Sequence, residues 1–181
     1  YVSDSNTQLT VDNSVFSFNN AFSTFGGVLH AKNNSQIFIR ATEIISNTAR
    51  RSGGALSLKE SVTAVIEDST DFKENTAVEG NGGAIVVSQN SSLLLRKIKF
   101  QNNTANLEGG AIKAYDGASV SSTSSTYMFG STMGGNGGGS VYIGTTASLI
   151  SQQDIFSDNK ASCSNCSGGA LYIEATGSCS V

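Results

Sequence analysis

The chain has no proline and no tryptophan among its 181 residues, a single histidine, and charged side chains at only 14% of positions. Without proline, almost every backbone N–H stays free to donate to a ladder. A net charge of -3 and scattered lysines and arginines leave no basic footprint for nucleic acid. The longest apolar runs, such as residues 84–87, fall far short of the roughly 20 residues that span a bilayer as a helix. The opening YVSDSNTQ has neither a basic n-region nor an apolar h-region, so no signal peptide is visible in this stretch. With 38% hydrophobic residues, the chain is too apolar to be disordered. No long helical run with caps occurs, which argues against βαβ units. The chain does have 20 glycines, many Ser, Thr and Asn, and β-branched apolar residues. That composition points to an all-β protein.

Internal repetition decides the fold class. Gly-Gly recurs as Gly26-Gly27, Gly53-Gly54, Gly82-Gly83, Gly109-Gly110, Gly138-Gly139 and Gly168-Gly169, at steps of 27, 29, 27, 29 and 30. A second marker keeps steadier time: Asn19, Asn47, Asn75, Asn103, Gly130 and Asn159 follow one another at 28, 28, 28, 27 and 29. Three residues before each lies Phe16, Ile44, Phe72, Phe100, Tyr127 or Phe156, and seven earlier still Leu9, Ile37, Val65, Leu93, Val120 or Leu149. After each Gly-Gly comes a short alternating segment: VLHA, ALSL, AIVV, AIKA, SVYI or ALYI. Period-2 alternation of this kind predicts half-buried strands.

A unit of about 28 residues with two or three short strands cannot bury its inner face alone and must stack on its neighbours. The expected fold is a right-handed parallel β-helix of about six coils, a single solenoid segment over residues 1–181. Each repeated position then becomes a column along the axis, with rungs about 4.8 Å apart. The Phe/Ile/Tyr column is expected inside. The Asn column becomes a ladder whose amides can bond coil to coil. Gly-Gly marks a turn that needs positive φ or close backbone approach. Asp12, Arg40, Asp68 and Arg96 would form one column of alternating sign, and Glu43, Asp71 and Lys99 a second, which suits stacked rungs. The fifth copy is degenerate, with Gly130 in the Asn column and a Ser/Thr-rich strand. It reads as a weaker coil or the site of an outward loop.

The motifs FSFN (16–19), FKEN (72–75), FQNN (100–103) and FSDN (156–159), paired with GGAL (53–56 and 168–171) and GGAI (82–85 and 109–112), resemble the FxxN and GGA(I/L/V) repeats of the chlamydial polymorphic membrane proteins. Similar repeats occur in secreted proteins of protists and algae. The resemblance covers essentially the whole chain. It implies a surface-exposed passenger β-helix with adhesive roles and carries over no functional residues beyond the repeat positions. Both ends read as cut inside the pattern: Tyr1-Val2 matches the phase of Tyr172-Ile173, and Val181 that of Val11. An excerpt of a longer solenoid is expected, its partners being neighbouring segments of the same solenoid or other subunits.

Candidate chemistry is sparse. Cys163, Cys166 and Cys179 come late. One C-x2-C without a partner pair is a weak zinc signal, and a disulfide stapling a loop in an oxidising compartment reads better, with one cysteine left over. The pairing stays open. His30 sits at an outward strand position without a nucleophile beside it and reads as a surface residue. Glu67, Asp68, Asp71 and Glu74, near Arg40, Arg96, Lys97 and Lys99, are the one acidic patch a polysaccharide-active β-helix enzyme could use. A structural charge ladder explains them as well. Asn33, Asn90, Asn102 and Asn165 begin Asn-x-Ser/Thr sequons, which would be glycan sites in a secreted eukaryotic protein. Nothing calls for a cofactor or a metal. The segments between the Asn and Gly-Gly motifs, FSTF, RRS, VEGN, NLE, MGGNG and SCSNCS, vary in length where little else does. The function these features predict is a non-catalytic extracellular or cell-surface solenoid. It would act as an adhesin passenger or rigid stalk meeting a host or surface ligand through its loops. The alternatives are a subunit of an extracellular filament, flagellar hair or wall, and a polysaccharide-active enzyme.

Overall fold

The computed structural model describes residues 1–3, 7–174 and 176–180. Val181 therefore lies outside the described residues. Among the described residues there is no helix, and all strand pairing is parallel between successive coils, which makes a β-solenoid of about six turns.

Each coil carries four short strands, and each strand stacks in its own sheet. The long-strand sheet contains Gln8–Asp12, Gln36–Arg40, Thr63–Glu67, Ser92–Arg96, Ser119–Thr123, Ser148–Gln152 and Ser178–Ser180. The aromatic sheet runs from Val15–Ser17 through Asp71–Lys73 and Lys99–Gln101 to Ile155–Ser157. A sheet of two-residue strands follows, for example Thr76–Ala77. The glycine sheet, for example Leu56–Leu58 and Ile85–Val87, closes the coil.

The aromatic column inside is closely stacked. Phe72, Phe100, Tyr127 and Phe156 stack with ring centroids 5.0, 4.9 and 4.7 Å apart. The stack stops at Ile44, which occupies the same column one rung earlier. The degenerate fifth coil keeps all four strands. Its buried Ser122 replaces an apolar residue and is bonded by the Tyr127 hydroxyl at 2.9 Å, so the polar atom is partnered.

Two columns shift from their sequence assignment for one reason. In the third coil the turn after the long strand has two left-handed residues, Asp68 and Ser69, where the second coil has only Ala41. The extra residue moves the long strand by one position against its neighbours. Ala64, not Val65, therefore joins Ile37 and Leu93 inside, and Val65 faces outward. By the same shift Glu67, not Asp68, stands opposite Arg40. The charge column is thus Asp12, Arg40, Glu67 and Arg96, with Arg40–Asp12 at 2.7 Å and Arg96–Glu67 at 3.1 Å. A one-residue slip would otherwise have turned every side chain of the strand over.

At the other end of the coil Val2 bridges Ala31, the column that also holds Ile173. Of the three cysteines, Cys163 and Cys166 form a disulfide with Cα atoms 5.1 Å apart. Cys179 is not available to them. It registers against Leu149 in the core column of the long-strand sheet, where burial pushes its thiol upward in pKa.

Candidate functional site

The rungs are locked by the two motifs that define the repeat. Asn47 and Asn75 are wholly buried and Asn103 nearly so. The Asn47 backbone N–H and Nδ2 both donate to Asn75 Oδ1 at 3.0 Å. Asn75 Nδ2 donates in turn to Ile44 O at 2.9 Å and to Asn103 Oδ1 at 3.0 Å. Asn19 joins at the first rung through Asn47 Oδ1. At the fifth coil Gly130 has no side-chain amide, and its backbone N–H alone reaches Asn159 Oδ1, at 2.8 Å.

The two glycines of each pair do different things. The first is left-handed at each rung, as at Gly82 with φ +62°. The second is a close approach: a Cβ on Gly83 would sit 2.0 Å from the Gly110 carbonyl oxygen. The backbones of successive turns touch there with no room for a side chain.

The variable segments at 22–25, 50–52, 78–81, 106–108, 133–137 and 162–167 run along the edge of the glycine sheet. They are themselves bonded rung to rung. Arg51 N–H donates to Thr24 O, Glu79 N–H to Arg50 O, and Leu107 N–H to Gly80 O. Some of their side chains, Phe25, Glu108 and Asn136 among them, lie against the outer face of the glycine sheet. This corrects the half-buried reading of those strands, because Leu56–Leu58 and Ile85–Val87 are buried on both faces. The cover is chemically distinct at each end. Near the first coils Phe25 and Tyr1 lie over His30, with ring centroids 5.8 and 5.5 Å away, and Lys59 and Arg51 approach the Phe25 ring. Near the last coils Tyr142 stacks on Tyr172 at 5.1 Å and donates to Glu174. Between them Lys113 pairs with Glu108 and faces the rings of Tyr115 and Tyr142.

His30 is thus half-buried rather than a free surface residue. Burial first, then the charges of Lys59 and Lys32, bring its pKa down to about 4, against the opposing pull of Glu60. The folded state favours the neutral ring, so stability is complete above the unfolded value near 6.5 and is lost as pH falls from there towards 4. The loss should be roughly 1–2 kcal/mol after solvent screening of a half-exposed site is allowed for. Urea unfolding at neutral and mildly acid pH measures it, and a His30→Gln variant should lose that part of the pH dependence.

The acidic patch does not converge. Glu67 lies on the outer face of the long-strand sheet, paired with Arg96, while Asp68 is exposed in the following turn. Asp71 belongs to the aromatic sheet between Glu43 and Lys99, and Glu74 to the next turn, beside Lys73 at 3.5 Å. Burial, with Glu43 adding to it and Lys99 opposing, raises the Asp71 carboxyl above its ordinary range. A shallow depression lined by Glu43, Asp71, Lys73, Lys99 and Gln101 lies over it. Among the sequons, Asn90, Asn102 and Asn165 are exposed. Asn33 is half-buried, its Nδ2 donating to Ser3 O at 2.6 Å.

The model of the Chlamydia polymorphic membrane protein repeat matches the chain at residues 97–115 and 155–174. Each match holds one aromatic of the core stack, one ladder asparagine and one Gly-Gly pair: Phe100, Asn103 and Gly109-Gly110 in the first, Phe156, Asn159 and Gly168-Gly169 in the second. No curated protein and no solved structure matches the chain.

Proposed function

We propose that this chain is a non-catalytic segment of a cell-surface solenoid, a passenger-type adhesin or stalk whose loop edge meets the ligand. The observation that carries the reading is the contrast between rung and edge. Ladder, core column and Gly-Gly pair recur along the coils with few departures, such as Gly130 in the ladder, while the segments before Gly-Gly change in length and chemistry from one turn to the next. A stiff scaffold that presents varied loops is built for contact rather than for one fixed reaction centre. The likeness of two repeats to those of a membrane-protein family supports a place at the cell surface. Several carboxylates make rung-to-rung pairs, such as Glu67 with Arg96 and Glu79 with Arg50, which supports a structural rather than a catalytic use.

Beads coated with the chain test this against cultured epithelial cells. The comparison is a variant whose loop side chains at 22–25, 50–52, 78–81 and 133–136 are replaced by serine or glycine. Binding by the wild type, reduced about tenfold or more in the variant at unchanged circular dichroism, is the expected result. Equal binding by both, or none by the wild type, would contradict the adhesive reading. Cleavage of a polysaccharide that Asp71→Asn abolishes would contradict the non-catalytic one.

A further inference from the structure

We propose that two copies of this solenoid pair face to face, running in opposite directions, across the outer face of the long-strand sheet. That face lies away from the loop edge, and the proposal does not rest on the adhesive reading. Its outward positions form three columns. Gln8, Gln36, Thr63 and Ser92 make a polar one. Thr10, Phe38, Val65 and Leu94 make a largely apolar one in the middle, lining shallow depressions. Asp12, Arg40, Glu67 and Arg96 make the charged one.

The charged column runs minus, plus, minus, plus. A sequence of that form read backwards is its own complement. A two-fold axis along the strand direction, placed between the Arg40 and Glu67 rungs, sets Asp12 against Arg96 of the partner subunit and Arg40 against the partner's Glu67. The same axis sets Phe38 against the partner's Val65 and Gln36 against the partner's Thr63, an amide facing a hydroxyl. A slip that centres the axis on the Glu67 rung sets Glu67 against the partner's Glu67 and Arg40 against the partner's Arg96. The alternation therefore selects one register and rejects its neighbour, and it does so only for an antiparallel, isologous contact. Aligned sheets pack about 10 Å apart, a gap that facing Arg and Glu side chains can bridge from opposite sides. Within one chain each cation already has an acid on one neighbouring rung, but no ion pair joins Arg40 to Glu67 among the described residues. A second copy supplies that missing contact.

Sedimentation equilibrium decides it, at roughly 100 µM protein, where an interface of even modest affinity populates the dimer. The expected mass is twice 18.7 kDa for the wild type and 18.7 kDa for V65E and for R40E. The reciprocal swap R40E/E67R separates pairing from simple stability. In the dimer it again sets an acid against a base across the axis, so the double variant should recover the dimer. Along each single chain it places like charges on adjacent rungs, so a purely intrachain role predicts a less stable monomer. A wild type that stays at 18.7 kDa, a dimer that persists in V65E, or a double variant that remains monomeric overturns the proposal.

Discussion

Replacing Gly83 with alanine is expected to destabilise the solenoid by on the order of 4 kcal/mol, an unusually large effect for the addition of one methyl group. The new Cβ would lie 2.0 Å from the Gly110 carbonyl oxygen and 2.6 Å from the backbone of Thr104. Both belong to main chain tied to a neighbouring rung, Gly110 N–H to Gly138 O and Thr104 N–H to Asn75 O, so no flexible side chain can yield. Relief requires two coils to part, which breaks bonds such as Gly83 N–H to Gly109 O at 3.0 Å. Gly169→Ala is the internal control. Among the described residues its Cβ would meet only Asn159 O, at 3.3 Å, and should cost less than about 1 kcal/mol. Urea midpoints for the two variants give the comparison. Equal, small effects would mean that the second glycine of the pair is not a contact point.

Asn75→Ala is the second large effect, again about 4 kcal/mol. The truncation removes four buried hydrogen bonds, two from Asn47 to the amide oxygen and two from the amide nitrogen to Ile44 O and Asn103 Oδ1. Asn47 Nδ2 keeps Phe16 O and Asn103 Oδ1 keeps the backbone N–H of residue 75, but the Asn47 N–H loses its acceptor, and a buried donor left unpaired costs about 1–3 kcal/mol on top of the lost bonds. Water cannot replace the amide without entering the stack. Asn75→Asp keeps the acceptor but sets a carboxylate oxygen towards Ile44 O and Asn103 Oδ1. The fold therefore favours the protonated acid, and this variant should be weak at neutral pH and regain stability as pH falls. Asn19→Ala, at the exposed first rung, should cost far less. Thermal unfolding of the three variants gives the ranking, and an Asn75→Ala as stable as Asn19→Ala would show that the ladder carries no weight.

Much of this was legible because a solenoid writes its third dimension into its period. Once Asn47, Asn75 and Asn103 keep one spacing, they must stack, and the chemistry of amides does the rest. Register was legible only where the spacing is constant. The extra turn residue at Asp68-Ser69 leaves the Phe72 and Asn75 phase intact but shifts the strand before it, so Val65 and Asp68 were placed in columns that belong to Ala64 and Glu67. A turn insertion compensated elsewhere in the same coil is invisible to a count from motif to motif.

The outer layer was harder to read. His30 has an outward position in its strand, and nothing local says that Phe25 and Tyr1 will lie over it. That cover depends on loops whose side chains obey no period. The left-handed residues before each ladder asparagine, such as Phe18 and Ser46, carry no glycine signal and are equally hard to read. Cys179 shows the same limit: its place in the core column beside Leu149, not its spacing from Cys163, decides that it stays a free thiol.

Pulsed electron resonance between spin labels tests the stacking most directly. The labels go on the polar outer column of the long-strand sheet, in a Cys179→Ala, Val65→Glu background that keeps the Cys163–Cys166 bond and holds the chain monomeric, so that only distances within one chain are read. Gln8→Cys with Ser148→Cys, and Gln36→Cys with Ser178→Cys, are each five rungs apart. Both pairs should give the same narrow distribution near 24 Å. Two different separations, or separations that do not follow the number of rungs, would contradict the solenoid and with it every column described above.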